Sequence, residues 1–575
     1  MPNVRVTACQ INTSVGDIEG NVERILEALS KAEELGSDIA IFPELAITSY
    51  PPEDLLLKPG FIARNIEAMH RVAEATRNCV AVFGFVDREQ DLFNSAAICH
   101  DGQIIGRYHK RILPNYGVFD EQRYFAAGPP ATTLYGIAGT KVGVTICEDV
   151  WSPNGPVAEQ AAAGAELILA INSSPFFAGK RATREAMLAT RAADASVSLV
   201  YVNQVGGQDE LVFDGASVAF DSDGNVLASA NQFAEELLTV DIEVKPTFRK
   251  RLLDPRGRAT AQMLPVEPIK SQPTPNREAV EIAPRPISHL SREAEIYNAI
   301  VVGVGDYVRK NGFEDVVIGL SGGFDSSLVA AIAVDALGAG KVHGVSMPSR
   351  YSSPESEQHA CELAEHLGID FRVIPIEIAH RAFSQMFEAS TGQPTAGTTD
   401  ENLQSRIRGV TLMALSNEFG WLVLTTGNKS ELAVGYSTLY GDTAGGFAVI
   451  KDVVKTTAYK LCEWRNEQAR LVGEKPVISQ EIFTKVPTAE LRPGQKDEDS
   501  LPPYAVLDPI VDAYVEDDLT LSEIVQKGFD PEIVARIVRM VDGAEYKRRQ
   551  SPLGVRVTPK AFGKDRRVPI TNRFV

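Results

Sequence analysis

Eight prolines fall between Pro246 and Pro286. Proline fixes φ and has no N–H to donate, so neither a helix nor a central strand tolerates such a density, and the chain must divide there. The segment 246–290 reads as an ordered connection or semi-rigid linker. Because 575 residues are too many for one hydrophobic core, a first domain is expected over 1–245 and a second over 291–575.

The two sides differ in pattern. Before the prolines come short, nearly continuous apolar runs separated by helical stretches: VRVTACQI from Val4, DIAIF from Asp38, CVAVFGFV from Cys79, KVGVTIC from Lys141, LILAIN from Leu167 and SLVYVNQ from Ser198. Such runs belong to sheets covered by helices or by another sheet. Asp101-Gly102 and Asp223-Gly224-Asn225 sit between strand-like runs as hairpin signals, so this side reads as mixed α/β with antiparallel pairs. After the prolines, a helix with a serine cap and a glycine stop spans 291–312. Strands VVIGL, VHGVSM, FRVIPI and WLVLTT then alternate with helices over 326–337, 354–367 and 400–418. That alternation predicts a doubly wound parallel sheet.

Composition narrows the function classes. A net charge of −19 argues against general nucleic-acid binding. No apolar run approaches the roughly 20 residues of a membrane span, and MPNVRVTACQ reads as a strand, not a signal peptide; a cytoplasmic protein is expected. The six cysteines (9, 79, 99, 147, 361 and 462) are scattered without close pairs, and the eight histidines show no ligand spacing. Neither a disulfide framework nor a transition-metal site is expected.

Cys147 ends a buried run and is followed by Glu148 and Asp149 in ICEDVW. A nucleophilic thiol needs a base or cation nearby, which two acids do not supply. Lys110, in YHKRILPNYGVFDE, and Glu44, in FPEL, lie at the ends of other strand-like runs. Alone, Cys147 reads equally as a small buried hydrophobe. In this order and these contexts the three motifs resemble the Glu-Lys-Cys triad of the nitrilase, or carbon-nitrogen hydrolase, superfamily. The resemblance implies an α-β-β-α sandwich, Glu44 as general base, Cys147 as nucleophile on an amide carbonyl, and Lys110 as oxyanion stabiliser that also balances the nearby carboxylates. Glu121 resembles an additional acid found near the thiol in relatives. Glu148 and Asp149 read as solvated or bonded to backbone.

The second domain carries SGGFDS between the strand VVIGL and a helix. Glycines let backbone N–H groups approach an anion, and the helix N-terminus adds its dipole. No Gly-Lys-Ser/Thr closes the loop, so it is not a Walker motif. It resembles the pyrophosphate loop of N-type ATP pyrophosphatases, of the adenine nucleotide α hydrolase-like fold. Thr426 and Glu431, in LTTGNKSEL, follow another strand at the carboxyl end of the sheet, where ligands bind.

A nitrilase-like amidase joined to this loop resembles, across nearly the whole chain, the bacterial glutamine-dependent NAD synthetases. By that resemblance the first domain hydrolyses glutamine, and the second adenylates deamido-NAD with ATP and Mg²⁺ before ammonia displaces AMP. Tyr116, Ser174, Lys180 and Glu121 are implied at the glutamine site. Gly319, Leu320, Ser321, Gly322, Gly323, Phe324, Asp325, Ser326, Thr426, Lys455 and Thr488 are implied at the ATP site. Asn402, Arg406, Glu431 and Lys547 are implied for deamido-NAD, and Asp325 and Glu431 for the metal. The chain departs from ammonia-dependent relatives at Leu439, where they carry lysine. The resemblance also implies a homo-oligomer, possibly an octamer, and the reactivity of an adenylate toward water argues for an interior ammonia tunnel. Two readings compete: another glutamine-dependent adenylating ligase, and an amidase fused to a nucleotide-sensing module. The segments 391–400 and 484–504 read as lids or as ordinary surface loops.

Overall fold

In the computed structural model, residues 3–245, 263–270, 282, 285 and 287–574 are described. Two compact units divide the chain: residues 1–208 with 212–289, and residues 209–211 with 290–575. Most of the expected proline-rich connection lies outside the described residues. Of the part inside, Val266–Pro268 forms an edge strand parallel to Leu134–Ile137.

The first unit stacks two sheets. One has the strand order Glu236–Glu243, Asn3–Gln10, Ile39–Ile41, Val80–Arg88, Leu92–His100, Gln103–His109. The other runs Val226–Ser229, Val218–Phe220, Ser198–Asn203, Leu167–Asn172, Thr140–Ile146, Leu134–Ile137, Val266–Pro268. Side chains alternate between faces along a strand, which sorts them into layers. Val4, Val6, Ile39, Ile41, Val80 and Val82 meet Val142, Val144, Leu167, Leu169 and Val200 between the sheets. Their neighbours Cys9, Ala40, Phe42, Ala81 and Phe83 pack under the helices Ile18–Glu34 and Pro59–Ala75. Ile168, Ala170, Leu199 and Tyr201 pack under Pro156–Ala162 and Lys180–Ala195. The result is the expected α-β-β-α sandwich, and it explains why the strands read as apolar on both faces. At the Asp101-Gly102 hairpin both turn residues have positive φ, +47° and +73°, the two-residue turn that matches strand twist. Cys9, Cys79 and Cys99 are buried in the helix-facing layer as small apolar groups.

The second unit is built on a five-stranded parallel sheet ordered Asp370–Val373, Val342–Ser346, Val316–Gly319, Leu422–Thr425, Phe447–Ala448. Helix Thr398–Phe419 covers one face, its Ile407 and Leu412 lying on Val317, Val345 and Val423. Ser291 caps Arg292–Lys310 by accepting the Ala294 N–H, as its sequence position predicts, and Gly312 stands two residues past the end at φ +78°. A further cluster joins Ala433 and Val434 to Tyr504–Val515 and Pro531–Gly543 through Leu507, Ile510, Val534 and Ile537. Among the described residues no helix is long and apolar enough to cross a membrane.

Candidate functional site

In the first unit three strands end at chemistry. Strand Gln103–His109 leads directly into Lys110, Thr140–Ile146 into Cys147, and Ile39–Ile41 into the turn holding Glu44. Cys147 has φ +45° and begins the single 3-10 turn Cys147–Val150, so the backbone itself bends at the thiol. Lys110 Nζ donates to Glu44 Oε1 and to Glu121 Oε1, each at 2.7 Å, with all three side chains buried. Glu44 is fixed further by Asn94 Nδ2 at 2.7 Å and by the Ser173 N–H at 3.0 Å. Tyr50 donates its hydroxyl to Glu121 at 3.0 Å.

One ammonium between two carboxylates leaves a surplus negative charge. Burial opposes the Lys110 charge, but Glu121 and Glu44 outweigh it and hold the ammonium's pKa well above its ordinary value. Burial, with Glu44 adding to it against the pull of Lys110, pushes the Glu121 carboxyl up to about 7. The Cys147 thiol is pushed well above its usual range, by burial first and by Glu44 second; Lys110 lowers it but does not prevail. Lys110 thus acts against the carboxylates around the sulfur, as expected of its charge, while burial and Glu44 favour the protonated thiol.

The acids after the cysteine separate. Glu148 accepts the half-exposed Tyr116 hydroxyl at 3.0 Å. Asp149 is fully buried and bonds backbone N–H groups and the Tyr108 hydroxyl. Ser173 touches Glu44, and the N–H of Ser174, the residue implied at the glutamine site, donates to Asn203 Oδ1 at 2.8 Å. Lys180 opens helix Lys180–Ala195 and donates to the Pro175 carbonyl at 2.6 Å, with its ammonium 5.5 Å from the Phe177 ring centre. Elsewhere in this unit Asp87, Glu89 and His109 bring ligand-type atoms within 4.8 Å of one another, but Arg107 already pairs with Asp87 at 3.1 Å.

In the second unit a cavity of about 510 Å³ opens at the carboxyl ends of the strands. Gly319, Leu320, Ser321, Gly323, Phe324, Asp325, Ser326 and Thr426 line it, with Glu431, Lys455, Thr488, Asn402 and Lys547. The helix after the loop begins at Phe324, two residues before its sequence-based start. Ser321 Oγ accepts the Gly323 N–H at 3.2 Å, and Ser326 Oγ donates to the Gly323 carbonyl at 3.1 Å, fixing the turn. Gly322 has φ +68°, and a Cβ there would lie 2.0 Å from the Ser356 carbonyl oxygen; only glycine fits.

Lys455 pairs closely with Asp325 and lies 3.6 Å from Glu431 Oε1. Asn428 donates to Asp325 Oδ1 at 3.3 Å and caps the helix holding Glu431. Burial pushes the Glu431 carboxyl up to about 8, with Asp325, Asp497 and Asp442 adding to it and Lys455 opposing. Asp442 is pushed up to about 6 by burial. Lys547 is held by the carbonyls of Gly435 and Ser437, each at 2.7 Å. Thr488 Oγ1 accepts the Glu490 N–H at 3.1 Å, and Asn402 accepts the Thr438 hydroxyl at 2.7 Å. Arg406 is exposed and donates to the Leu439 carbonyl at 3.2 Å, whereas Arg408, which sequence reasoning passed over, lines the cavity. Lys485 and Glu490, from the 484–504 segment, bond Ser356 beside the 321–326 loop.

The carbon-nitrogen hydrolase family model matches residues 5–247, and the NAD synthase family model matches residues 296–551. Over its full length the chain is 48% identical to the glutamine-dependent NAD(+) synthetase of Thermotoga maritima, covering 99% of that protein. It is 46% identical to the same enzyme of Aquifex aeolicus, across 99% of this chain and 100% of that one. A solved structure of the glutamine-dependent NAD+ synthetase of Acinetobacter baumannii, in complex with ADP, is 40% identical with a TM-score of 0.74, covering 99% of each chain. The Cytophaga hutchinsonii enzyme, at 22% identity, shares the fold with a TM-score of 0.81 over 99% of this chain and 98% of that one.

Proposed function

The chain belongs to the glutamine-dependent NAD(+) synthetases, and from that premise we propose how its residues divide the work. Glutamine, ATP and deamido-NAD are the substrates; NAD, glutamate, AMP and diphosphate are the products. The observation that carries this reading is the pairing, on one chain, of a buried Lys110–Glu44 contact at 2.7 Å near a cysteine nucleophile with a phosphate loop lining a 510 Å³ cavity.

At the first site Cys147 Sγ attacks the glutamine carboxamide carbon while Glu44 takes the thiol proton. Lys110 donates to the developing oxyanion. Ammonia leaves with the proton that Glu44 returns, and a glutamyl thioester remains. Glu44 then takes a proton from water, which attacks the thioester; glutamate departs and the thiol is restored. Tyr116 and Glu148 suit the ammonium end of glutamine, with Ser174 and Lys180 on the neighbouring loop.

At the second site the N–H groups of 321–326 and the dipole of the following helix receive the ATP phosphates, with Lys455 and Thr488 as further phosphate contacts. The nicotinate carboxylate of deamido-NAD attacks the α-phosphorus and diphosphate leaves; ammonia then attacks the acyl carbon and AMP leaves. Asn402, Arg406, Glu431 and Lys547 are assigned to deamido-NAD. Asp325 and Glu431 are hard oxygen donors in a site with surplus negative charge, which fits Mg²⁺; when bound, the ion neutralises charge on the triphosphate. A reduced thiol nucleophile suits the cytoplasm, and a homo-oligomer is part of this reading.

NAD formation by purified Cys147→Ala, supplied with deamido-NAD, ATP and Mg²⁺, tests the division of labour. Product from ammonium and none from glutamine is the expected outcome. Product from glutamine would remove Cys147 from the mechanism, and no product from ammonium, with the unaltered protein active, would overturn the independence of the two sites.

A further inference from the structure

Lys110 and Cys147 meet across a gap of sequence, and one buried side chain ties their two segments together. The Asp149 carboxylate is fully enclosed. Its Oδ1 accepts the backbone N–H groups of Arg111 at 3.1 Å and Ile112 at 2.9 Å, the two residues after Lys110. Its Oδ2 accepts the Ile146 N–H at 3.1 Å, immediately before Cys147, and the Tyr108 hydroxyl at 2.8 Å, two residues before Lys110. Donors therefore arrive from both sides of the lysine and from the residue preceding the nucleophile.

We propose that Asp149 is a positioning residue for glutamine hydrolysis, setting the register between the Lys110 ammonium and the Cys147 sulfur. The proposal rests on the roles given above to those two residues. The chemistry demands such a clamp. Cys147 bends the backbone at φ +45°, a conformation that persists only where its surroundings over-determine it. The Lys110 backbone still bonds Asn94 of the neighbouring strand and Gly128, each at 2.8 Å, but residues 111–115 after it are irregular. A carboxylate is the side chain for the task because all four contacts are donors, and it accepts at both oxygens without presenting a proton of its own. Aspartate two residues after the cysteine reaches back to the Ile146 N–H within the same turn while its other oxygen spans to the lysine loop.

Asp149→Asn is the informative change. The amide oxygen accepts at one side, but the NH₂ faces the Ile146 N–H donor to donor, while the Tyr108 hydroxyl can turn to accept. Misplacing a reacting group by about 1 Å costs on the order of 100-fold in rate. Glutamine-driven kcat should therefore fall by about that factor with KM for glutamine unmoved, because Asp149 has no contact to offer the substrate. Ammonium-driven NAD formation, measured in the same preparation, should match the unaltered protein. Tyr108→Phe removes one donor and no charge, and should lower glutamine-driven kcat in the same direction by less. A rise in KM with kcat intact would make Asp149 a binding residue and overturn the proposal. So would unchanged glutamine kinetics in either variant, or an equal loss of glutamine- and ammonium-driven activity in both. Failure of the unaltered protein with ammonium would instead count against the functional reading beneath it.

Discussion

The Lys110 ammonium lies 2.7 Å from a carboxylate oxygen of Glu44, with neither side chain exposed to solvent. A second carboxylate, Glu121, stands at the same distance on the same nitrogen. Removing one member of a buried ion cluster strands the charges that remain, at a cost of about 3–5 kcal/mol. Lys110→Met should lower the urea stability of the first unit by that order and abolish glutamine hydrolysis, both read on one preparation. Retained stability would mean that the two carboxylates find protons or water without the lysine.

Cys147 should be slow to alkylate at neutral pH. Its thiol pKa is raised, so the protonated form persists through neutrality and the thiolate appears only as pH climbs past the ordinary range. Iodoacetamide labelling followed site by site in ligand-free protein should rise through pH 9 without a plateau near 7. A plateau near 7 would mean that Lys110 dominates the carboxylates after all.

Mg-ATP binding should expel a proton at the second site. With its pKa near 8, the Glu431 carboxyl holds a proton below that pH and releases it above, and a metal-bound triphosphate favours the ionised form. Calorimetry at pH 7 in buffers of different ionisation enthalpy should detect net proton release that shrinks toward pH 9. Glu431→Gln should lose this component; if the release is unchanged, the proton comes from elsewhere.

Gly322→Ala should stop NAD synthesis from either nitrogen source and leave glutamine hydrolysis assayable. The added methyl meets the Ser356 carbonyl at 2.0 Å and the backbone stays at φ +68°, a combination that costs more than about 1 kcal/mol and displaces the phosphate loop. Normal ATP affinity in the variant would mean that the loop and helix move apart cheaply.

Sequence alone carried the reading furthest where a residue both ends a strand and sits inside an ordered motif, as with Glu44, Lys110, Cys147 and the 321–326 loop. Partners supplied by distant segments were not legible: Asn94 reaches Glu44 across 50 residues and Ser173 across 129, and nothing local marks either. Arg406 and Arg408 show a second limit. Two positions apart on a helix point about 200° apart, so only one of them faces the cavity. Helix Thr398–Phe419 has buried polar residues, Gln404 and Ser405, among its core positions, and so lacks the apolar stripe that would have told the arginines apart. The covered sheets, by contrast, were legible because strands covered on both sides must read as continuous apolar runs; their arrangement as an α-β-β-α sandwich was implied by the family resemblance.

The pairing of Lys455 with Asp325 bears on discrimination among nucleotides. A bare triphosphate that reached for this lysine would have to break an ion pair and leave a carboxylate beside its own negative charge. On the roles proposed for these two residues, a triphosphate carrying its metal would exchange partners, offering Asp325 a cation in place of Lys455. Such a site would work as a double-exchange lock, penalising free phosphate and uncomplexed nucleotide alike, and binding should be less sensitive to ionic strength than in a simple cationic pocket.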